Sequence, residues 1–279
     1  MPVDPFVVET IRRALIEDAG CGDITSQLTI PEQSRSLAVL VAKEPFVLAG
    51  MPYVREVFAQ VDPAVKIKIF KKEGKPVKSG DTLAELSGAT RSLLLGERVA
   101  LNILQRVSGI ATLTARYVEK VKNFPAKITD TRKTSPGLRI CEKYGVRMGG
   151  GLNHRFGLSD GVLIKDNHIA ASGGIAKAVT RARMAHHLLK IEVEVTTIEE
   201  LREAIASGAD VIMLDNMGID EMRRAVEVTA DRSLLEASGG VSLDTVEQIA
   251  ATGVDIISVG ALTHSARAVD ISMKIRKRG

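Results

Sequence analysis

The sequence predicts an α/β protein with two parts, an N-terminal α/β sandwich-like sheet domain and a C-terminal, incomplete β/α barrel. Two observations support this prediction. Between Ser36 and Leu86, strand-like runs are separated by turn residues, whereas from Ala126 onward short apolar runs alternate with helical patterns. Alternating strands and helices are typical of a parallel sheet, and six such units fit an incomplete barrel. An open doubly wound sheet is the alternative.

The composition narrows the class of ligand. The chain has 279 residues, a formal net charge of +4 and no tryptophan. This modest charge fits small anions as well as nucleic acid, but the scarcity of aromatic residues disfavours a base-stacking surface. The presence of only two cysteines, Cys21 and Cys141, favours a reducing compartment. With no signal-like N-terminus and no apolar run of membrane length, we expect a cytoplasmic protein without nucleic-acid or membrane partners.

The N-terminal domain is predicted to span residues 1–112. It begins with helical periodicity over residues 7–18. Three strand-like runs follow, at residues 37–42, 65–70 and 82–86. Residues 93–122 have a long helical pattern that is expected to bridge the two domains, and Gly109 within it predicts close packing or a break in the helix. The C-terminal tail, residues 266–279, is a candidate to pack back on this domain.

The barrel is predicted to occupy residues 113–265. Its strand-like runs are residues 127–129, 161–164, 190–195, 211–214, 234–237 and 256–259. Helical patterns separate most of these runs, at residues 198–207, 219–228 and 243–252. In a β/α barrel the residues that follow the strands meet at one mouth, where barrel active sites lie. We therefore expect a single cleft built from the polar and glycine residues that end these runs.

The stretch from Asp130 to His168 concentrates charged residues at two of these strand ends. One strand-like run leads into Asp130-Thr131-Arg132-Lys133 and another into Lys165-Asp166-Asn167-His168, with three consecutive glycines, residues 149–151, between them. Arginine makes two-pronged contacts to carboxylate or phosphate, and glycine lets backbone N–H groups approach an anion. The stretch therefore predicts a site for a ligand with several negative charges. A solvated basic surface with a glycine loop is the alternative.

Long motifs within and around this stretch carry a family resemblance. TRKTSPGLR, GGGLNHR and LIKDNH lie inside it, and EDAGCGDITS, ALN with SGIAT, LEASGGV and ISVGALTHS extend the likeness over nearly the whole chain. In this order the motifs resemble those of quinolinate phosphoribosyltransferase, also called carboxylating nicotinate-nucleotide pyrophosphorylase. The resemblance implies transfer of phosphoribosyl from phosphoribosyl pyrophosphate (PRPP) to quinolinate with loss of CO₂. The products are nicotinate mononucleotide and pyrophosphate, in a step of NAD biosynthesis.

The resemblance also suggests roles for the basic residues. We define the cationic wall as the group expected to face the two carboxylates of quinolinate, namely Arg132, His154, Arg155 and Lys165. Lys133 is expected to face the pyrophosphate of PRPP. For Arg155 and Lys165, the alternative is internal pairing with a neighbouring aspartate, Asp160 or Asp166.

A subunit interface is implied as well. Arg98 belongs to the long helical pattern outside the barrel, yet it matches a substrate-binding position of the family. The resemblance therefore implies that Arg98 enters the cleft of a neighbouring subunit in a homodimer or higher homo-oligomer.

Two acidic residues are candidates for a metal site. Glu194 and Asp215 end neighbouring strands, and Mg²⁺ prefers one or two carboxylates together with substrate phosphates. The alternative is that these acids balance the nearby lysines. With Lys133 and Lys165 they complete the set of predicted catalytic residues.

Two late strand ends are candidates for binding the 5′-phosphate through backbone N–H groups. Late barrel strands often bind phosphate in glycine-rich loops. The residues concerned are Ser238, Gly239, Gly240, Gly260 and Ala261. Ordinary strand-to-helix turns are the alternative, and His264 fits either a phosphate contact or a helix cap.

Three rival functions remain at this stage. A related molybdenum-transport-associated pyrophosphorylase shares much of the pattern, although LIKDNH and the NHR triplet favour the quinolinate enzyme. An aldolase-type barrel could use Lys165 as a Schiff-base lysine. A non-enzymatic nucleic-acid binder could use the basic surface, but the sequence lacks a recognisable binding motif.

Overall fold

The computed structural model describes residues 4–276 of the chain. It divides into two compact units. The first unit contains the residues up to Ala115, Thr134–Gly150 and the residues from Ala266 onward; the second contains Arg116–Lys133 and Gly151–Ser265.

The strands and helices of residues 4–276 have the following bounds. The strands are β1 (Arg35–Ala42), β2 (Phe46–Val47), β3 (Lys66–Ile69), β4 (Pro76–Val77), β5 (Thr82–Ala89), β6 (Lys127–Thr129), β7 (Val162–Ile164), β8 (Ile191–Val195), β9 (Val211–Asp215), β10 (Leu234–Ser238), β11 (Ile256–Ser258) and β12 (Ile271–Arg276). The helices are α1 (Pro5–Ala19), α2 (Ile24–Thr29), α3 (Met51–Val61), α4 (Thr90–Val121), α5 (Arg139–Met148), α6 (Asp166–Ser172), α7 (Ile175–Ala182), α8 (Ile198–Ala206), α9 (Ile219–Thr229), α10 (Val246–Ala250) and α11 (Ala261–His264).

The first unit is built on a four-stranded antiparallel sheet of order β12-β1-β5-β3. Its apolar residues form one core, in which Leu40, Phe58, Leu86 and Leu104 are fully buried. The predicted α/β sheet domain is confirmed, and its sheet is antiparallel. The reading of residues 36–86 as strands and turns alone was wrong, because α3 lies within them and buries Val54, Val57 and Phe58 at helical spacing.

The long helix α4 confirms the prediction made from the pattern of residues 93–122. Gly109 lies in the middle of this helix, where a Cβ would collide with the backbone carbonyl of Arg267. The prediction of close packing at Gly109 is therefore correct, and the helix continues without a break. Among residues 4–276, no helix has both the length and the apolar content that a membrane crossing requires.

The second unit contains a parallel six-stranded sheet of order β6-β11-β10-β9-β8-β7. Its first and last strands do not pair with each other, so the sheet is barrel-like but open and the predicted incomplete barrel is confirmed. A single parallel bridge between Thr129 and Leu152 continues the sheet beyond β6. All six predicted strand runs coincide with strands of this sheet. Because the strands are parallel, their carboxyl ends lie at one edge and deliver their terminal side chains to one place.

Candidate active site

A cavity of about 590 Å³ lies at the carboxyl ends of the second unit's strands. Its lining combines basic, acidic and glycine residues. They are Thr131, Arg132, Lys133, His154, Arg155, Leu163, Lys165, Glu194, Met213, Asp215, Asn216, Glu236, Ser238, Gly239, Gly240 and Ser258. The cavity therefore brings together most of the residues predicted to form the site.

Three predicted residues lie outside this lining. Gly260 and Ala261 follow β11, at the start of α11. Arg98 is an exposed residue of the first unit. Its entry into a neighbouring subunit's cleft stays a prediction.

Arg155 is a basic residue of the cavity with an unsatisfied hydrogen-bond donor. Its Nη1 donates a hydrogen bond to the Gly161 carbonyl at 2.9 Å, while its buried Nε has no hydrogen-bond partner. Burial lowers the pKa of Arg155, and the positive charge of Arg132 lowers it further. Two guanidinium groups held near each other in a partly desolvated cavity repel, and a carboxylate or phosphate between them would relieve that repulsion and satisfy the buried donor.

Lys165 is paired across two neighbouring strands. Its ammonium group forms an ion pair with the carboxylate of Glu194, rather than with the adjacent Asp166. The backbone N–H of Lys165 donates to Nδ1 of His168 at 3.0 Å, which fixes the start of α6. Lys165 and Glu194 therefore present a coupled pair of charges to the cavity.

His154 faces two buried carboxylates. Its Nε2 lies 3.0 Å from Oε2 of Glu192 and 3.7 Å from Oε2 of Glu236. The loop that carries His154 is held at the end of β6 by Asp130, which accepts hydrogen bonds from the backbone N–H of His154 and from the Asn153 amide. The imidazole, itself part of the cationic wall, thus faces carboxylates from strands β8 and β10.

Glu192 and Glu236 are functional candidates that the sequence analysis missed. Both are more than nine-tenths buried, and each has an Oε1 atom without a hydrogen-bond partner. Burial raises the pKa of Glu236 to about 7, and the negative charge of Glu192 acts in the same direction. The available signal was the spacing in Ile191-Glu192-Val193-Glu194-Val195, because residues two apart on a strand share one face.

Two groups of ligand atoms could hold a cation. Glu194 and Asp215 lie at the carboxyl ends of the adjacent strands β8 and β9, and both line the cavity. Their carboxylates suit a hard cation that also binds substrate oxygens. Ligand atoms of His154, Glu192 and Glu236 lie within 4.8 Å of one another. In this second group, however, the short contact from the imidazole to Glu192 is already explained by a hydrogen bond.

The glycine-rich strand ends are shaped for close backbone approach. Gly239 and Gly240 have φ values of +95° and +60°, which residues with a side chain rarely adopt. After β11, a Cβ added to Gly260 would come within 3.1 Å of the Lys133 side chain. The hydroxyl of Thr263 donates to the Lys133 carbonyl at 2.7 Å, so α11 fixes the position of Lys133.

Comparisons with known proteins place these features in one family. Residues 23–108 match the family described as quinolinate phosphoribosyl transferase, N-terminal domain, and residues 110–274 match the corresponding C-terminal domain. A Bacillus subtilis (strain 168) protein named probable nicotinate-nucleotide pyrophosphorylase (carboxylating) is 50% identical over 261 residues, covering 93% of this chain and 90% of the relative. A Mycobacterium leprae nicotinate-nucleotide pyrophosphorylase (carboxylating) is 43% identical, with 96% of both chains covered. The structure of the nicotinate-nucleotide pyrophosphorylase from Francisella tularensis superposes with a TM-score of 0.93 at 40% identity, covering 99% of this chain and 98% of that one.

Proposed function

We propose that this chain, which belongs to the quinolinate phosphoribosyltransferase family, transfers the phosphoribosyl group of PRPP to quinolinate with decarboxylation. The products are nicotinate mononucleotide, pyrophosphate and CO₂, in a step of de novo NAD biosynthesis. The named relatives support this enzyme class, and they do not favour the molybdenum-transport-associated rival.

The observation that carries the substrate assignment is the environment of Arg155. A buried, unpartnered N–H donor beside a second guanidinium group calls for a carboxylate, and quinolinate offers two on one flat ring. Arg132 and Arg155 bind these carboxylates, while His154 and Lys165 complete the cationic wall. Holding the ring on both carboxylates directs its nitrogen towards the ribose carbon of PRPP.

Catalysis rests on charge at the two ends of the reacting bond. As the bond from the ribose carbon to pyrophosphate breaks, positive charge develops on the sugar and negative charge on the leaving group. Lys133 and Lys165 stabilise the departing pyrophosphate, and the ring nitrogen donates its electron pair to the ribose carbon. The ring nitrogen is then positively charged, so it stabilises the carbanion left when CO₂ departs; protonation of that carbon completes the product.

Glu194 and Asp215 are proposed to hold Mg²⁺ together with the pyrophosphate of PRPP. Their hard carboxylate oxygens at adjacent strand ends fit that ion. Bound Mg²⁺ would supply further neutralisation of the leaving group. The opposite end of PRPP, its 5′-phosphate, is assigned to the backbone N–H groups of Ser238, Gly239, Gly240, Gly260 and Ala261.

Assembly and location complete the proposal. Arg98 is proposed to enter the cleft of a neighbouring subunit, which requires a homodimer or a larger assembly. Because the substrates are small metabolites and no membrane-crossing helix occurs in the described part of the chain, a cytoplasmic reaction is proposed.

Product analysis tests this function. The protein is incubated with quinolinate, PRPP and Mg²⁺, and the products are identified by mass spectrometry. Equal amounts of nicotinate mononucleotide and pyrophosphate support the proposal. Absence of both, with the protein folded, contradicts it, and borohydride trapping of a carbonyl substrate on Lys165 would instead support the aldolase-type alternative.

A further inference from the structure

Asn216 is a strained residue at the edge of the active-site cavity. Its φ is 56°, and within residues 4–276 only two other non-glycine residues, Ala230 and Asp231, have positive φ. Those two follow α9 in a helix-terminating turn, whereas Asn216 follows β9 and lines the cavity. A left-handed conformation is unfavourable for an L-residue with a side chain, although asparagine tolerates it better than most.

The contacts of Asn216 join two neighbouring strand ends. Its Nδ2 donates to Oδ2 of Asp215 at 2.9 Å, and its backbone N–H donates to the Ser238 carbonyl at 2.9 Å. A carboxylate only accepts hydrogen bonds, so the amide must present its NH₂ group to Asp215. This leaves the amide oxygen facing Gly239.

Gly239 is packed directly against this amide. A Cβ added at Gly239 would lie 2.9 Å from the Asn216 backbone nitrogen and would collide with its side-chain oxygen. The turn after β10 can therefore approach β9 this closely only with glycine at position 239. The residue that orients Asp215 thus also sets the position of the Ser238-Gly239-Gly240 turn.

We infer that Asn216 is a positioning residue for PRPP, which holds the Asp215 carboxylate and the Ser238-Gly239-Gly240 turn in one fixed arrangement. This inference rests on the proposed function, in which Asp215 serves the pyrophosphate end of PRPP and the turn serves the 5′-phosphate. By occupying one oxygen of Asp215, the amide leaves the other for the ligand. Both ends of PRPP are then bound by groups whose spacing depends on a single side chain.

A glycine substitution separates this role from a local structural one. If Asn216 only formed the turn, Asn216→Gly would be harmless or stabilising, because glycine adopts positive φ without strain. A positioning role predicts the opposite for the ligand. Loss of a supporting hydrogen bond to a binding carboxylate typically reduces affinity or activity about 10–100-fold.

The experiment measures initial rates with each substrate varied in turn, for the full-length wild type, Asn216→Gly and the isosteric Asn216→Asp. Asp231→Gly, which relieves a similar φ of 60° outside the cavity, is the matched control. We expect the KM for PRPP to rise at least about tenfold in both Asn216 variants, with the KM for quinolinate changed less than about threefold. Asp231→Gly should leave both constants unchanged, and the melting temperature of Asn216→Gly should not fall below that of the wild type.

Two results would overturn the inference. One is a KM for PRPP within about twofold of wild type in both Asn216 variants; the other is an equal rise in both KM values. Should either variant fail to fold, the other gives the same readout, and unfolding of both would show that Asn216 serves stability instead. A wild type without turnover of quinolinate and PRPP would contradict the proposed function itself, which distinguishes that failure from a failure of the Asn216 assignment.

Discussion

Nε2 of His154 lies 3.0 Å from the Glu192 carboxylate, and both side chains are largely withdrawn from water. The Glu236 carboxylate faces the same imidazole, so one ring contacts two buried acids, and His154 and Glu236 both line the cavity. Buried acids with unpartnered oxygens destabilise a fold unless protons or cations compensate them. The pH dependence of stability should therefore report on this cluster.

Glu236 is expected to make the protein less stable as the pH rises. Burial and Glu192 raise its pKa from 4.5 to about 7, so the folded state binds this proton more tightly than the unfolded chain does. The resulting stabilisation is fully present below about pH 4.5 and is lost as the pH rises through 7, a change on the order of 3 kcal/mol in the free energy of unfolding. Chemical denaturation of the wild type and of Glu236→Gln at about pH 5 and pH 8 measures it.

The difference between the two proteins is the informative quantity, since other groups titrate over the same range. Glu236→Gln should flatten this pH dependence, while the exposed Glu227→Gln should retain it. Identical pH dependence in the wild type and Glu236→Gln would show that Glu236 is ionised throughout.

Substitutions of Arg155 and Lys133 are expected to weaken the binding of different substrates. Because Arg155 is assigned to the quinolinate carboxylates, Arg155→Ala should weaken quinolinate binding about 10–100-fold, the scale of one charged hydrogen bond, and PRPP binding far less. Lys133→Ala should show the reverse bias. Calorimetric titration of each ligand checks both variants, with the exposed Arg224→Ala as control; equal losses for both ligands in both variants would disprove this division of the cleft.

The metal assignment predicts a changed Mg²⁺ requirement. Asp215→Asn keeps the side-chain shape but removes the charge, so half-maximal activity should need at least about tenfold more Mg²⁺. Asp220→Asn is a suitable control, because the Asp220 side chain is 96% exposed and forms a surface ion pair with Arg223, three residues further along α9. An unchanged Mg²⁺ titration for Asp215→Asn would remove Asp215 from the metal site.

Subunit sharing predicts complementation between two inactive proteins. In a mixed dimer of Arg98→Ala and Arg155→Ala subunits, one cleft has both arginines and the other has neither. Random mixing of dimers should then restore about a quarter of wild-type activity, because half of the dimers are mixed and half of their clefts are intact. Mixed dimers that form, as shown by native mass spectrometry, but regain no activity would argue against sharing.

The sequence predicted the barrel strands well because each is an apolar run that ends abruptly in polar residues. It failed at α3, where the helical spacing of Val54, Val57 and Phe58 is short and lies among strand-like runs. It expected the C-terminal tail to pack back on the N-terminal domain, but it did not identify the strand β12 in that tail, whose partner β1 is far away along the chain. Pairing over such distances leaves no local pattern.

In the site, too, residues with a local sequence pattern were predicted and residues brought together only by the fold were not. Residues directly after strands, such as Lys133 and Asp215, were predicted because strand ends meet at the barrel mouth. Glu192 and Glu236 were missed because the predictions considered only residues at strand ends, whereas these two acids lie within strands β8 and β10. The contact of Asn216 with Gly239 joins two strand ends that only the fold brings together.

The choice between quinolinate and nicotinate tests the central claim most directly. The two acids differ by one carboxylate, and the cationic wall, with the unpartnered Nε of Arg155, is richer than one carboxylate needs. A site built to bind a polar group rejects the analogue that lacks it by roughly 10⁴-fold or more. The measurement is the rate of pyrophosphate release from PRPP with each acid in turn. The account predicts release with quinolinate and a value of kcat/KM at least about 10⁴-fold lower with nicotinate; comparable values for the two acids would contradict it.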